Sequence, residues 1–203
     1  MASKRILLCV TGLSPQIVTE TLYALALHPQ TRWVPTQIHL ISTTRGAENA
    51  RLKLLSAEPG WFHRLCRDYD LHDITFTEAQ IHVIRRADGT LLDDIRDDAD
   101  NQLAADFIAE TVRVLTADPD AEVHASIAGG RKTMGFYLGY AMSLYGRMQD
   151  RLSHVLVTAP YEAHPEFYYP TPQTRVIATQ DRAQDALDTS KARVWLGDIP
   201  FVR

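Results

Sequence analysis

A chain of 203 residues is long enough for one domain, or for one domain with a small appendage. Its apolar content of 45% and charged content of 23% are typical of a globular protein that can bury a full core. The net charge of −4 argues against a protein that coats nucleic acid, so an anionic ligand would have to be bound by local basic groups.

The start of the chain and its two cysteines indicate a cytoplasmic location. Residues 6–10 form an apolar run that is too short for a signal peptide or a membrane span, and we expect no membrane partner. Cys9 and Cys66 lie far apart and form no Cys-x-x-Cys motif, which favours a reducing compartment.

Apolar runs alternate with helical periodicity along most of the chain. Strands are predicted at residues 6–10, 38–42, 81–84, 122–127 and 152–157, with a weaker candidate at 193–196. Helices are predicted from Ser14 to about residue 28, at 47–55, 61–69 and 103–115, and from 132 to about 145. Ser14 followed by Pro15 is typical of an N-cap and first turn. This alternation predicts an α/β fold with a mostly parallel sheet and helices on both faces.

The last fifth of the chain has a different composition. It is rich in proline at first and irregular afterwards. We therefore expect a single domain with a core at about residues 1–158 and a C-terminal extension at 159–203, in which residues 171–188 form a mobile excursion.

Two loops in this pattern suit a phosphate-bearing ligand. One covers residues 11–16 after the first strand, and the other covers 128–133 after the fourth. In the second loop Arg131 and Lys132 follow two glycines at a predicted helix N-terminus, where open backbone N–H groups favour an anion. Alternatively, the glycines only turn the chain and the cations are solvated. The segment is not a Walker A loop, because that motif requires glycine directly before the lysine.

Parallel strands direct such loops to one edge of the sheet. Ligands of open α/β sheets bind there, where the strand order reverses. The two loops are therefore expected to face one another across a polar, mildly cationic cleft.

Other candidate sites are weaker. The eight histidines show no metal-ligand spacing, and no metal or other cofactor is expected. His39 and His82 fall on predicted strands, where packing or hydrogen bonding is the simpler interpretation. An acidic run could bind a divalent cation, but a solvated loop is favoured because the oxygen pattern of a calcium loop is missing. This run contains Asp93, Asp94, Asp97, Asp98 and Asp100.

With both loops in place, the chain resembles the CRISPR-associated Rossmann-fold (CARF) proteins of type III CRISPR systems, and above all the sensor domain of the CARF–HEPN ribonucleases. The resemblance covers nearly the whole chain in the right order. The matching segments are residues 10–16 with 19–22, 94–96 with 100–101, and 126–134, and the ending 197–203 is similar to the junction where such sensor domains finish.

The resemblance implies a Rossmann-like CARF domain that forms a homodimer and binds one cyclic oligoadenylate across its two-fold axis. Thr11, Ser14 and Gln16 would contact ribose and phosphate, the loop from Gly129 would cradle phosphates, and Asn101 would lie near the rim. The full set of implied ligand-binding residues is Thr11, Gly12, Leu13, Ser14, Gln16, Asn101, Ala128, Gly129, Gly130, Arg131, Lys132 and Thr133.

The resemblance also implies an activity. Some members of the family cleave the ring and so switch off the antiviral signal, and we expect this chain to do so with cyclic tetra-adenylate. A ribose 2′-OH would attack the adjacent phosphorus without a metal, leaving linear products with a 2′,3′-cyclic phosphate. Lys132 and Arg131 would stabilise charge on the phosphate, and Thr11 or Ser14 would orient the hydroxyl.

Several alternatives stay open. The chain stops where a HEPN effector domain would begin, so it is either a stand-alone ring nuclease or the sensor part of a larger ribonuclease. Arg67 with His72, and Arg32 with His39, have the spacing of a HEPN motif, which we interpret as accidental. The same loops would also serve a non-cleaving sensor or sponge, and rings of four and of six adenylates are both used in this family. DNA is not an expected partner, because the tail is too short and too weakly basic for a winged helix.

Overall fold

The computed structural model describes residues 4–162, 164–179 and 185–202. The helices are α1 (Gln16–Ala26), α2 (Thr44–Ala50), α3 (Trp61–Asp68), α4 (Asp98–Thr116) and α5 (Lys132–Tyr145). The strands are β1 (Lys4–Val10), β2 (Gln37–Ser42), β3 (Ile81–Val83), β4 (Ala121–Ser126), β5 (Arg151–Val157), β6 (Val176–Ala178), β7 (Ala186–Asp188) and β8 (Val194–Asp198).

Six strands form one sheet in the order β3-β2-β1-β4-β5-β8. The first five are parallel, and β8 pairs antiparallel with β5. Every connection between consecutive parallel strands contains at least one helix. The predicted α/β architecture with a mostly parallel sheet is therefore confirmed. The strand order reverses between β1 and β4, which is where such sheets bind ligands.

The continuous apolar run of β1 reflects burial on both faces of the sheet. Leu7 and Cys9 pack with α1 and α3, whereas Leu8 and Val10 pack on the other face with α4 and α5. All four side chains are fully buried. A central parallel strand needs apolar residues at every position, because both of its faces are covered by helices.

Three helix starts differ from the prediction, and the simplest case is α2, which begins at Thr44 rather than at residue 47. Ser14 makes no capping hydrogen bond; α1 begins at Gln16 after Pro15, whose carbonyl accepts from the Val18 N–H at 3.1 Å. Helix α4 begins at Asp98, earlier than predicted, because the Asp97 carboxylate accepts from the Asp100 N–H at 2.8 Å. An aspartate N-cap therefore extends this helix into the acidic run.

The C-terminal part returns to the sheet. The weaker strand candidate is real and forms β8, while β6 and β7 make a separate two-stranded ribbon. The predicted excursion at 171–188 includes residues 180–184, which lie outside the described residues; its described remainder holds β6 and β7. Among the described helices, none is both long and apolar enough to cross a bilayer.

Candidate ligand-binding cleft

The two predicted loops meet where the strand order reverses. β1 continues into residues 11–15, and β4 continues into residues 127–131. A Cβ added to Gly12 would lie 3.8 Å from the Cα of Gly130, so the loops are in van der Waals contact. The expectation that they face one another is confirmed.

The first loop is held by the neighbouring strand. The Thr11 N–H donates to the Ile41 carbonyl at 3.0 Å, and the Ser42 hydroxyl donates to the Thr11 carbonyl at 2.7 Å. The Thr11 side chain is fully buried, and its hydroxyl donates to the Ser14 carbonyl at 2.9 Å. The Thr11 hydroxyl is therefore used to shape the loop, whereas Ser14 is exposed. A direct contact of Thr11 with the ligand stays a prediction.

The second loop requires both of its glycines. A Cβ on Gly129 would lie 2.5 Å from the Val10 carbonyl oxygen, which is closer than any real side chain approaches. Gly130 has a φ of +77°, a backbone conformation that favours glycine. The glycines thus bring the backbone against β1 and turn it directly into α5, which begins at Lys132.

The cations of this loop differ in their surroundings. Arg131 donates from Nη2 to both carboxylate oxygens of Asp94, at 3.0 and 2.9 Å. Slight burial acts to raise the pKa of Asp94. The hydrogen bonds from Arg131 and from the Ile95 N–H outweigh it and hold this pKa below its usual range. Lys132 and Thr133 are exposed at the start of α5, and Lys132 forms no ion pair with any described residue.

An open cleft of about 270 Å³ lies beside these groups. We call it the outer basin; it is lined by Gly12, Leu13, Arg45, Asp94, Gly130 and Arg131. The outer basin is the cationic part of the site.

The acidic run is partly paired with arginines. Asp93 pairs with Arg45 at 3.2 Å and with Arg96 at 2.6 Å, and Asp100 pairs with Arg86 at 2.6 Å. No group of three or more metal-binding side chains occurs among the residues that the structure describes. Arginines from several segments therefore pair with Asp93, Asp94 and Asp100, whereas Asp97 and Asp98 are exposed to solvent at the start of α4.

A second cleft, of about 290 Å³, runs from the glycine loops towards β5 and the C-terminal tail. Its far part is lined by Gln16, Glu20, His154, Glu162 and His164, and we call this part the inner chamber. Within the described part of the chain, no arginine or lysine lines this cleft. The expectation of a mildly cationic cleft therefore holds only for the outer basin.

The roof of the inner chamber is a segment of the C-terminal tail. His164 donates from Nε2 to the Ala178 carbonyl at 2.8 Å and accepts from the Glu166 N–H through Nδ1 at 3.2 Å, which fixes a neutral tautomer. Further along the segment, Tyr168 stacks on Trp61 of α3, with ring centroids 4.8 Å apart. These contacts hold the roof against the body of the domain.

Glu20 is the unusual group in the chamber. It lies on α1 and is 7% exposed, and none of the described residues makes a hydrogen bond to its carboxyl group. Burial, with a smaller contribution from the Glu162 carboxylate, raises the pKa of Glu20 to about 8. The carboxyl group is therefore mainly protonated at neutral pH.

Asn101 and Gln16 have protein partners. Asn101 donates from Nδ2 to the Tyr137 hydroxyl at 2.7 Å and ties α4 to α5; it lines neither cleft. Its place at the rim of a dimeric site stays a prediction. Gln16 does line the inner chamber: its Nε2 donates to the Pro165 carbonyl at 3.4 Å, and its buried Oε1 has no partner among the described residues.

The HEPN-like spacings lie within the α/β fold. Arg67 is on α3, and the His72 ring is 72% exposed and 2.7 Å from the Asp70 carboxylate. His39 lies on β2 and hydrogen-bonds His82 at 2.8 Å. These positions agree with the interpretation of both spacings as accidental.

Residues 14–203 match the model of one protein family, described as "CRISPR-associated protein NE0113 (Cas_NE0113)". The chain belongs to this family. The resemblance to CRISPR-associated Rossmann-fold proteins is thereby confirmed at the level of the family, together with the fold. No curated protein matches this NE0113-family chain.

Solved structures offer distant likenesses. One is "Enterococcus italicus Csm6 bound to cyclic hexa-2'-fluoro-hexa-dAMP", with 17% identity, a TM-score of 0.42, and coverage of 77% of this chain and 34% of that one. Another is protein VC1899 from Vibrio cholerae, with 13% identity, a TM-score of 0.41, and coverage of 74% and 30%. The NE0113-family chain thus spans about a third of the length of these proteins.

Proposed function

We propose that this CRISPR-associated protein binds a cyclic oligoadenylate, with cyclic tetra-adenylate as the expected ring, and cleaves it without a metal ion. The observation that carries the proposal is the contact between Gly12 and Gly130, which joins two glycine loops at the reversal of strand order. Around this contact lie open backbone N–H groups, the N-terminus of α5 and two cations, which together suit a phosphodiester.

The reaction needs only the protein, its substrate and water. The 2′-oxygen of one ribose attacks the adjacent phosphorus, and the bond from phosphorus to the 5′-oxygen breaks. The 2′-OH gives up a proton to water and the 5′-oxygen gains one from water. The products are linear oligoadenylates that end in a 2′,3′-cyclic phosphate, so the protein has to supply geometry and charge stabilisation.

Each role falls to a residue at the loop junction. Lys132 and Arg131, with the N–H groups of Gly129 and Gly130, would stabilise the charge on the non-bridging oxygens. Ser14 is exposed and would orient the 2′-OH, while Thr11 shapes the loop that carries Ser14. Arg131 would have to exchange its two hydrogen bonds with Asp94 for bonds to phosphate.

The decisive experiment incubates the pure protein with radiolabelled cyclic tetra-adenylate in EDTA and separates the products by chromatography. We expect linear products with a 2′,3′-cyclic phosphate. A ring that is bound in a fixed ratio but recovered intact would support a sensor or sponge instead. A ring that is neither bound nor cleaved, with cyclic hexa-adenylate giving the same result, would contradict the proposal.

We also propose that the active form is a homodimer built on α5. This helix starts at the Gly-Gly loop and presents an apolar stripe to solvent, with Phe136 69%, Tyr140 57% and Leu144 55% exposed. A two-fold axis next to this stripe would cover it and bring two sets of loops together. A symmetric ring could then make identical contacts with both protomers, and the doubled cationic groups would hold a polyanion.

Substitution of the stripe tests the dimer. Phe136→Glu combined with Tyr140→Glu should convert a dimer into a monomer in light scattering at micromolar concentration, because a dimer would bury four carboxylates. Val176→Glu is the matched control, since Val176 is 60% exposed on β6, away from α5. A wild-type protein that stays monomeric in the presence of the ring would contradict this part of the proposal.

A further inference from the structure

The inner chamber is chemically unsuited to a phosphate, although it opens from the same glycine loops as the outer basin. Glu20 and Glu162 would repel an anion, and the lining residues within the described part of the chain include no arginine or lysine. The whole cleft has a volume of about 290 Å³, near the lower end of small-molecule pockets at about 300 Å³. The chamber is therefore more suitable for a neutral, hydrogen-bonding part of a ligand.

Glu20 is oriented to make such hydrogen bonds. It sits one helical turn after Gln16 on α1, and both residues line the chamber. It is more than nine-tenths buried and has no hydrogen-bond partner among the described residues. A buried polar group normally has a partner, so an unpartnered carboxyl group in a cleft points to a ligand that supplies one.

The remaining polar groups narrow the choice of ligand. Both ring nitrogens of His164 are already bonded to backbone groups, and Gln16 uses its amide N–H on the Pro165 carbonyl. The Gln16 Oε1 has no partner among the described residues, but it is buried away from a ligand in the chamber. The Glu20 carboxyl group can both donate and accept here when it is protonated.

The Watson–Crick edge of adenine matches a protonated carboxyl group. It presents N1 as an acceptor next to the N6 amino group as a donor, so one O–H and one C=O can bond to it side by side. 1-Deazaadenine has a C–H in place of N1, so it accepts no bond from the carboxylic O–H and keeps only the N6 donor. An ionised carboxylate has no proton to give to adenine N1, so the protonation state decides whether adenine forms both bonds.

We propose that the inner chamber seats an adenine base of the ring and that Glu20 reads its Watson–Crick edge, donating to N1 and accepting from N6. This inference rests on the proposed function, because it names how the same cleft recognises the bases of a cyclic oligoadenylate. Phosphates would then lie in the outer basin and bases in the inner chamber. The raised pKa of Glu20 agrees with this geometry, since the group stays protonated at neutral pH.

The test compares the binding of cyclic tetra-adenylate with that of the matching ring of 1-deazaadenylate, which lacks the N1 acceptor, by calorimetry at pH 7. Wild type should prefer the adenylate ring by about 10-fold or more, the discrimination that a bidentate base contact gives. Glu20→Ala should reduce the preference to less than about 3-fold. Glu20→Gln should keep it, because an amide also offers one donor and one acceptor. Glu166→Ala is the matched control, since Glu166 is exposed on the same tail and lines neither cleft.

A second arm uses pH and guards against misfolding of the alanine variant. At pH 9 wild type should lose its preference for the adenylate ring, whereas Glu20→Gln should keep the preference it has at pH 7. The proposal is overturned if Glu20→Ala keeps the full preference, or if wild type and Glu20→Gln respond alike to pH. If one of these overturning results is obtained and wild type still binds and cleaves the ring, only the base-reading role of Glu20 fails. If wild type binds neither ring, the proposed function fails with it.

Discussion

The outer basin and the inner chamber open from the same pair of glycine loops but have opposite chemistry. The outer basin contains Arg45 and Arg131, and the exposed Lys132 lies directly next to Arg131. The inner chamber contains two carboxyl groups and two histidines. A ligand that fills both regions has to be anionic at one end and neutral at the other, as a nucleotide is.

The two regions also differ in how their polar groups are satisfied. In the outer basin Arg131 is held by Asp94, so a ligand has to displace an existing ion pair. In the inner chamber Glu20 has no partner among the described residues, so a ligand would supply the first one. In the basin, the binding energy is therefore the difference between an Arg131–phosphate pair and the Arg131–Asp94 pair that it replaces. In the chamber, a ligand bonded to Glu20 replaces no bond within the protein.

The largest expected effect concerns catalysis at the outer basin. Lys132→Ala should reduce single-turnover cleavage of cyclic tetra-adenylate about 10²–10³-fold, because it removes one electrostatic contact to the phosphate. The measurement is made without added metal. Arg67→Ala and His72→Ala should cleave at the wild-type rate. If His72→Ala is the inactive variant instead, the activity is of the HEPN kind and the mechanism proposed above is wrong.

A smaller effect is expected on binding in the outer basin. Arg131→Ala should weaken binding of the ring about 10-fold or more, since a charge-assisted hydrogen bond contributes about 1.5–3 kcal/mol. Asp94→Asn should strengthen binding a few-fold, because it weakens the ion pair that competes with the phosphate. Titrations at several salt concentrations should show a shallower salt dependence for Arg131→Ala. Equal affinities for wild type and both variants would exclude Arg131 as a phosphate ligand.

The smallest effect concerns stability and the inner chamber. The pKa of Glu20 is raised from 4.5 to about 8 on folding. Its contribution to the free energy of unfolding is therefore full below pH 4.5 and is lost as the pH rises through 8. Glu20→Gln cannot titrate, and its melting temperature should exceed that of wild type by about 2 °C or more at pH 8. This difference in melting temperature between Glu20→Gln and wild type should disappear towards pH 4.5. A gap that is independent of pH would mean that Glu20 is not protonated in the folded chamber.

The outer basin could be predicted from the sequence because each of its motifs is local. Two glycines between a strand and a helix are visible in one stretch of chain, and Arg131 and Lys132 follow at once. Glu20 was visible only as part of a matching segment, although its spacing from Gln16 places both on one face of α1. The spacing alone did not indicate that Gln16 and Glu20 line a cleft, because the chamber beside α1 is visible only in the structure.

The rest of the inner chamber had no sequence signal. His154 comes from β5, whereas Glu162 and His164 come from an irregular tail that shows no periodicity. The pairing of the acidic run with arginines was likewise hidden, because Asp94 and Arg131 lie 37 residues apart. The course of the loops in the fold, rather than the amino-acid composition, decides which charged residues pair.

The sequence by itself determined the alternation of strands and helices, the two glycine loops and the membership in a CRISPR-associated family. These features depend on local propensity, hydrophobic period and short motifs, all of which act over a few residues. Only the tertiary structure decided the antiparallel pairing of β8, the burial of Thr11 and the division of the cleft into a cationic and a carboxyl region. Those depend on which distant segments exclude water from one another, since burial and charge pairing are properties of the packed chain.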